Sequence, residues 1–238
     1  MLINAEHLAT IVKKPKIKIS KRLQKIANFA QKDFFIVDLG VDSGNLDIFI
    51  AQNSKNLKKI FAIEEKQKPF DNLISNINFY DVKEKIVPFL IDHIPNKKFD
   101  CLIIAGLGCY TIFNVLKRFG LSKLKNKHLI LGPQGTQLEL FILKRRLSSF
   151  FNVKTELIEE KGKLYEIWDL TRFKRNINDF SLMFSFDSEN EIIKKKYISL
   201  KRKEIKYYLK FFDRKTFNDN SFEEFKKKEI FERLNDEN

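Results

Sequence analysis

Cysteine, glycine and proline are scarce in this 238-residue chain, which has 2 Cys, 8 Gly and 5 Pro. Two cysteines, Cys101 and Cys109, are too few for a disulfide framework, and no CxxC or HxxxH spacing indicates zinc, so we expect no metal. The little glycine and proline argues against collagen-like or low-complexity chains. Because 43% of the residues are hydrophobic and 32% are charged, the composition predicts a globular protein with a real core.

Long hydrophobic runs are also missing. No apolar stretch approaches the roughly 18 residues of a membrane span. The first apolar patch, 8–12, follows Glu6 without a basic leader, so neither secretion nor membrane insertion is expected. We therefore expect a cytoplasmic protein.

Positive charge is in excess, with 45 Lys and Arg against 31 Asp and Glu, a net charge of +14 and a pI near 9.6. This balance favours a polyanionic partner such as RNA, DNA or an anionic membrane surface. The abundance of Lys, Phe, Ile and Asn has an alternative explanation in an AT-rich coding sequence. The basic residues cluster at 13–22, 117–127, 144–146 and 194–203. Clusters that share a face would bind phosphates without regard to base sequence.

Short apolar runs alternate with longer amphipathic stretches between residues 34 and 171, which is typical of a parallel α/β sheet. The predicted strands are 34–39, 59–64, 85–90, 100–105, 128–131, 151–158 and 165–171. The last two are separated by a KGK hairpin signal, so the sheet is expected to end in an antiparallel pair.

The pattern changes after residue 173. Apolar residues recur every three or four positions over 190–212, which predicts a long amphipathic helix. Residues 216–221 predict a turn and 222–234 a second helix, giving a coiled-coil-like helical hairpin, although a polar tail is the alternative. The predicted domains are 1–173 for the sheet domain and 174–238 for the hairpin appendage.

The sharpest motif is D-x-G-x-D-x-G at Asp38, Gly40, Asp42 and Gly44, where a buried strand runs into a helix. Glycines there allow close approach of a ligand to the backbone, and the helix amino terminus presents free N–H groups. Acids or glycines also follow the next three strands, at Glu64, Asp92 and Ala105-Gly106. A carboxylate in the position of Glu64 would bind the ribose hydroxyls of a nucleoside cofactor.

The chain resembles the bacterial tRNA (adenine-22-N1)-methyltransferase family, which uses S-adenosylmethionine. The resemblance covers about residues 16–172. Its motifs are a basic amphipathic helix at Lys18-Ile19-Ser20-Lys21-Arg22-Leu23-Gln24, the Asp38-x-Gly40-x-Asp42 turn, Glu64 with Pro69-Phe70, Asp92, Ala105-Gly106-x-Gly108, Leu131-x-Pro133 and Gly162-Lys163-x-Tyr165-Glu166.

This resemblance implies a class I methyltransferase, with a Rossmann-like, mostly parallel sheet, that methylates N1 of adenine 22 in tRNA. The residues expected to bind the cofactor are Asp38, Gly40, Asp42, Gly44, Glu64, Asp92, Ala105 and Gly106. Those expected to bind tRNA are Lys18, Lys21, Arg22, Lys144, Arg145, Arg146, Pro133 and Tyr165. A monomer is favoured.

The turn after the first strand departs from the family pattern D-x-G-S-D-H-A-Y-L-P. This chain has Ser43 for the His, Asn45 for the Tyr and Asp47 for the Pro. No catalytic residue is assigned; the candidates are Asp42, Asn45 and Gln134. The departures leave two alternatives to an active enzyme, a methyltransferase fold that binds tRNA without turnover and a protein-interaction adaptor. An NAD-dependent oxidoreductase fits poorly, because the second glycine of the dinucleotide fingerprint is missing.

Overall fold

Residues 15–172 and 191–212 are described by the computed structural model of the chain. In these ranges the helices are α1 (Lys21–Ala30), α2 (Asn45–Asn53), α3 (Gln67–Phe79), α4 (Cys109–Phe119), α5 (Leu121–Leu124), α6 (Gln137–Ser148) and α7 (Glu191–Phe212). The strands are β1 (Phe35–Leu39), β2 (Lys59–Glu64), β3 (Ile86–Leu90), β4 (Cys101–Gly108), β5 (His128–Gln134), β6 (Phe151–Glu160) and β7 (Lys163–Arg172).

All seven strands form one sheet with the order β3-β2-β1-β4-β5-β7-β6. The first five are parallel, whereas β7 is antiparallel to both β5 and β6. The Rossmann-like sheet with an antiparallel end is therefore confirmed. Strands β6 and β7 are longer than predicted because a two-residue turn joins them: Lys161 and Gly162 both have positive φ, at 50° and 76°, as the tight hairpin turn requires.

Helices cover both faces of the sheet. On one face α1, α2 and α3 pack on alternate strand residues such as Ile36, Ile60 and Ile103. On the other face α4 and α6 pack on the residues in between, such as Val37 and Leu102. Burial on both faces explains why the strand sequences are almost continuously apolar.

The predicted C-terminal helix is α7, which packs against α6 and β6. Tyr197 and Lys201 of α7 are buried and both contact the carboxylate of Glu166 on β7. The predicted turn at 216–221 and second helix at 222–234 lie outside the described residues. The helical hairpin and the domain boundary at residue 173 accordingly stay predictions.

Within the described ranges no helix has a stretch both long and apolar enough to cross a membrane.

Candidate active site

The candidate site is a cleft of about 550 Å³ at the carboxyl ends of the central strands. Strands β1 and β4 are neighbours, but the helices that follow them, α2 and α4, pack on opposite faces of the sheet. A crevice opens where the connections diverge in this way, and open α/β sheets bind their ligands there.

The turn between β1 and α2 forms the floor of the cleft. The backbone N–H groups of Gly40 and Val41 donate to the carbonyl of Ile63, at 2.9 and 3.2 Å, which anchors the turn to β2. Gly40 and Asp42 both have positive φ, at 80° and 52°, and line the cleft. Asp42 thus holds a backbone conformation that residues other than glycine adopt rarely.

Gly44 does not line the cleft, contrary to the predicted cofactor contact. It is buried, and its φ is +76°. A Cβ there would lie 2.3 Å from Cδ1 of Leu73, so helix α3 packs closely against this point. The glycine is needed for the start of α2 and for packing rather than for touching a ligand.

Glu64 ends β2 and is held rigidly. Its Oε2 accepts from the N–H of Asp42 at 3.0 Å, and its Oε1 accepts from the N–H groups of Glu65 and Lys66 at 3.1 and 3.0 Å. The residue is buried but lines the cleft. Since a carboxylate has about four acceptor positions, the fourth, on Oε2, is available to a ligand hydroxyl.

Asp38 lies next to the end of β1 and also lines the cleft, although it is only 4% exposed. Burial raises its pKa to about 7, an effect that a hydrogen bond with Asp47 partly offsets. Asp47, in the first turn of α2, is fully buried, and burial and the charge of Asp38 raise its pKa well above the usual value. No donor group among the described residues reaches either oxygen of Asp47. Burial therefore favours the neutral form of both carboxyl groups.

One rim of the cleft holds a carboxylate paired with two basic side chains. Asp92, exposed after β3, accepts a hydrogen bond from Arg118 of α4 at 3.5 Å and contacts His93 Nδ1 at 3.0 Å. The hydrogen bond with His93 is the largest cause of a lowered pKa of Asp92. Ala105 and Gly106 of β4 form the adjoining wall. Gly106 has φ +84°, a conformation that favours glycine, and its missing side chain leaves the backbone open to a ligand.

Helix α1 brings Arg22 to the other rim. Ser20 caps this helix by accepting from the N–H of Leu23, so the helix starts as the basic motif predicts. The Arg22 guanidinium lies 5.1 Å from the ring centroid of Tyr165, a cation–π geometry. Its Nε lies 4.0 Å from Glu160 Oε2, and its Nη1 is buried without an acceptor among the described residues. Arg22 also lines the cleft, which places a positive charge beside any ligand bound there.

Other predicted tRNA-binding residues fall into two groups. Lys18, Lys21, Arg145 and Arg146 are exposed. Lys144 is not: it is 2% exposed and its Nζ lies 2.5 Å from Glu166 Oε2, so its predicted contact with RNA phosphate is wrong. Pro133 is also buried and does not line the cleft, which corrects its predicted contact with tRNA.

The three catalytic candidates are placed differently. Asp42 and Asn45 are exposed and line the cleft. Gln134, at the end of β5, is exposed but outside the cleft lining, and its Nε2 lies beside Gly106, 4.0 Å from where a Cβ on that glycine would be. The cleft thus brings Asp42 and Asn45 together and leaves Gln134 at its edge.

Two features of the site were not predicted from the sequence. Thr111 and Val115 of α4 line the cleft, on the same helix as Arg118. They are four residues apart and so lie on one face of the helix. This spacing is visible in the sequence, but it indicates core packing equally well. The pairing of Asp38 with Asp47 had one visible sign, an acid inside the apolar run LDIFIA.

The sequence matches the methyltransferase domain family over residues 19–168, which is more than half of the chain. The chain belongs to this methyltransferase domain family. The matched segment runs from just before α1 into β7 and contains every strand of the cleft. No curated protein sequence matches this methyltransferase.

Several solved structures share the fold of this methyltransferase. The m1A22 tRNA methyltransferase TrmK of B. subtilis is 20% identical, with a TM-score of 0.71 and coverage of 92% of this chain and 97% of that protein. TrmK of M. capricolum, bound to the cofactor product S-adenosyl-homocysteine, is 21% identical, with a TM-score of 0.68 and coverage of 91% and 95%. A Streptococcus pneumoniae protein in complex with S-adenosyl-L-methionine is 27% identical, with a TM-score of 0.66 and coverage of 82% and 91%.

Proposed function

We propose that the protein uses S-adenosylmethionine to methylate N1 of adenine 22 in tRNA. The observation that carries the proposal is the cleft at the switch point of the sheet, with Glu64 held by three backbone N–H groups on one side and Arg22 on the other. The similarity in fold to tRNA m1A22 methyltransferases over more than nine-tenths of the chain supports it.

The residues of the cleft fit the cofactor. Its volume of about 550 Å³ lies within the range of about 300–1,000 Å³ typical of small-molecule sites. In the proposal, Glu64 accepts a ribose hydroxyl, Asp92 lies near the adenine, and Asp38 with the Gly40 turn faces the methionine end. When bound, S-adenosylmethionine supplies an electrophilic methyl group on a positively charged sulfur.

The proposed target atom, adenine N1, needs positioning by the protein rather than activation. Adenine N1 is unprotonated at neutral pH and carries its own lone pair, so it needs no general base. The protein has to hold the base in line with the methyl group, and such positioning can contribute roughly 7–11 kcal/mol. In the proposal Asn45 and Asp42 orient the base, while Arg22 and Tyr165 hold the flipped nucleotide at the rim.

The basic residues support RNA as the substrate class. Lys18 lies just before α1, Lys21 and Arg22 lie in its first turn, and Arg145 and Arg146 lie on α6. Arg146 also stacks on Phe113, 4.7 Å from its ring centroid. A tRNA substrate would place the protein in the cytoplasm, and we propose that it acts there as a monomer.

The experiment is a single-turnover assay with the full chain in excess over an unmodified tRNA transcript that has A22. A transcript with G22 is the matched control. We expect mass spectrometry to find one 1-methyladenosine per A22 transcript and none in the control. Equal methylation of both transcripts would contradict adenine 22 as the target. The absence of methylation would contradict the proposed methyltransferase activity.

Binding of tRNA without turnover is the second candidate. One observation favours it: no aromatic side chain among the described residues lines the cleft, whereas a flipped base is commonly stacked on an aromatic ring. A protein that binds both S-adenosylmethionine and the A22 transcript but leaves the transcript unmethylated would establish this candidate.

A further inference from the structure

A second cluster of polar side chains lies at the amino-terminal ends of the central strands, whereas the cleft lies at their carboxyl ends. Cys101 and His128 are the first residues of β4 and β5 and are register partners, so their side chains point to the same face. Asp33 directly precedes β1, which pairs with β4. The amino-terminal ends of three parallel strands therefore bring sulfur, nitrogen and oxygen donors together.

The cluster is compact and buried. His128 Nδ1 lies 2.7 Å from Asp33 Oδ2, and one donor atom each of Asp33, Cys101 and His128 lie within 4.8 Å of one another. Cys101 is 0% exposed, Asp33 7% and His128 9%. These side chains are too well buried for their polarity to be explained by contact with water.

A fourth side chain orients the imidazole. Asp169 of β7 lies in register with Ile130, two residues along β5 from His128. Its Oδ1 lies 2.6 Å from His128 Nε2. The 2.7 Å contact of Nδ1 with Asp33 Oδ2 holds a proton in the absence of metal; with Nε2 donating to Asp169, loss of that proton would leave the lone pair of Nδ1 for an ion. A carboxylate that fixes the far nitrogen of a histidine in this way is the usual neighbour of a metal-bound histidine.

The charges of the cluster also favour a cation. Two carboxylates, Asp33 and Asp169, share a single imidazole, and among residues 15–172 and 191–212 neither carboxylate forms an ion pair with Lys or Arg. Even a protonated His128 therefore balances only one of the two negative charges, and a metal ion would balance the other.

We propose that Asp33, Cys101 and His128 bind one Zn²⁺ ion, with Asp169 as a positioning residue for the His128 ring. The mixture of carboxylate oxygen, thiolate sulfur and imidazole nitrogen suits Zn²⁺, which binds such donors at about 2.0–2.3 Å in a tetrahedron. That geometry places neighbouring donors roughly 3.4 Å apart, so the Asp33 and His128 donor atoms, now 2.7 Å apart, would separate by roughly 0.7 Å. Binding deprotonates the Cys101 thiol, and water takes the fourth position.

This ion would lie apart from the cleft. It joins the loop before β1 to the starts of β4 and β5, and it is separated from the cleft by the length of β4. Sequence spacing does not reveal such a site, because the donors are far apart in the chain and come together only through the strand order.

The test is metal binding by the full chain, without an affinity tag and after removal of metals with a chelator. Co²⁺ serves as the spectroscopic probe, since a cysteine thiolate bound to it gives a charge-transfer band. We expect one Co²⁺ per chain with this band, displacement by one Zn²⁺, and a rise in the midpoint of thermal unfolding with either metal.

Variants identify the ligands. Cys101→Ala is expected to abolish the charge-transfer band, and Cys109→Ala, the matched control at the other buried cysteine, to retain it. Asp33→Asn, which keeps the side-chain shape, is expected to weaken Zn²⁺ binding by more than ~100-fold, and Asp169→Asn by ~10–100-fold. Thermal unfolding in chelator checks that each variant folds.

Two results would overturn the proposal. One is a wild-type chain that binds no stoichiometric Zn²⁺ or Co²⁺, in which case His128 is simply a cation clamped between Asp33 and Asp169. The other is an unchanged charge-transfer band in Cys101→Ala together with unchanged Zn²⁺ affinity in Asp33→Asn, which would move the metal to other residues. Neither result bears on methyl transfer, so this test is independent of the proposed function.

Discussion

The carboxyl groups of Asp38 and Asp47 face each other in the protein interior, one from the end of β1 and the other from the first turn of α2. Asp38 reaches the cleft and Asp47 does not. Burial raises the pKa of both groups, and the charge of Asp38 raises that of Asp47 further, whereas the hydrogen bond with Asp47 lowers the pKa of Asp38. The protonation state of the cleft wall is therefore set partly by a residue that no ligand touches.

This pairing predicts a pH dependence of cofactor binding. The ionised form of Asp38 attracts the positively charged methionine end, and its pKa is raised to about 7, so affinity should rise with pH by up to ~10-fold per unit below that value. Asp47→Leu removes the hydrogen bond that lowers the pKa of Asp38 and should therefore raise that pKa further. We expect calorimetric titration between about pH 5.5 and pH 8.5 to place the rise in affinity at a higher pH in the variant than in the wild type.

Ionisation of S-adenosylmethionine itself changes the affinity of the wild type and of the variant equally. The ratio of the two affinities at each pH therefore reports only on the protein. Identical profiles for the wild type and Asp47→Leu would show that the pair does not control binding.

Glu64→Gln tests the ribose assignment. The substitution removes the negative charge and puts an amide NH₂ where one oxygen accepts backbone N–H groups. Hydrogen bonds to charged groups contribute ~1.5–3 kcal/mol each, so we expect S-adenosylmethionine affinity to fall ~10–100-fold by calorimetry. Glu65→Gln, at the exposed neighbour that also lines the cleft, is the control and should bind nearly as tightly as the wild type. Equal losses of S-adenosylmethionine affinity in both variants would contradict the assignment of Glu64 to the ribose.

The turn between β1 and α2, which departs from the family pattern, predicts an effect on the rate of methyl transfer. Ser43 and Asn45 line the cleft with short polar side chains, so we expect them to hold a flipped base loosely. Since a 1 Å displacement of reacting atoms costs ~10²-fold in rate, Ser43→His with Asn45→Tyr should raise single-turnover methylation of A22 by up to that factor. Cofactor affinity should stay the same.

Asn53→Tyr, at the far end of the same helix, is the control for added aromatic surface. If the wild type already methylates A22 as fast as the double variant, the present turn is fully competent. Asp47 is best left unchanged in this test, because it is buried behind the cleft rather than facing the base.

Binding of tRNA is predicted to be mainly electrostatic. Log affinity should fall with log salt by ~0.9 for each duplex phosphate neutralised. Replacing both Lys18 and Lys21 by Ala should reduce this slope by up to ~1.8. Replacing Lys97 and Lys98, exposed in the loop before β4 at the opposite edge of the sheet, should leave the slope unchanged. Equal slopes in all three proteins, measured by fluorescence anisotropy, would exclude the α1 surface.

Glu166 predicts how the fold responds to acid. Burial alone would raise its pKa, but the ammonium groups of Lys144 and Lys201 outweigh that effect and lower the pKa to about 2. Its stabilising contribution is therefore complete above the unfolded-state pKa of about 4.3 and is lost as the pH falls toward the folded-state value. Glu166→Gln leaves two buried cations without a counter-charge and should lower the free energy of unfolding by ~3–5 kcal/mol at neutral pH.

The measurement is urea unfolding at several pH values. The control is Glu159→Gln at the exposed ion pair with Lys196, for which a change below ~1 kcal/mol is expected. A Glu166→Gln variant with the stability and acid response of the wild type would contradict the role of this network.

Much of the cleft was predictable because parallel strands end at the same edge of a sheet. Asp38, Glu64 and Ala105 could be placed together once the runs FFIVDLG, KIFAIE and CLIIAG were identified as strands. Lys144 was misplaced although a signal was present: it lies four residues after the buried Leu140 and three before the buried Leu147, on the inward face of α6. The basic neighbours Arg145 and Arg146 hid that periodicity.

The sequence by itself determined the order of strands and helices, since alternation and periodicity are local properties that a few neighbouring residues specify. Which buried polar groups meet was decided only by the tertiary structure. Asp38 at the end of β1 meets Asp47 of α2 in the interior, and Asp33, Cys101 and His128 meet because β1, β4 and β5 are adjacent in the sheet. Burial and hydrogen bonding depend on such long-range neighbours, which no local pattern records.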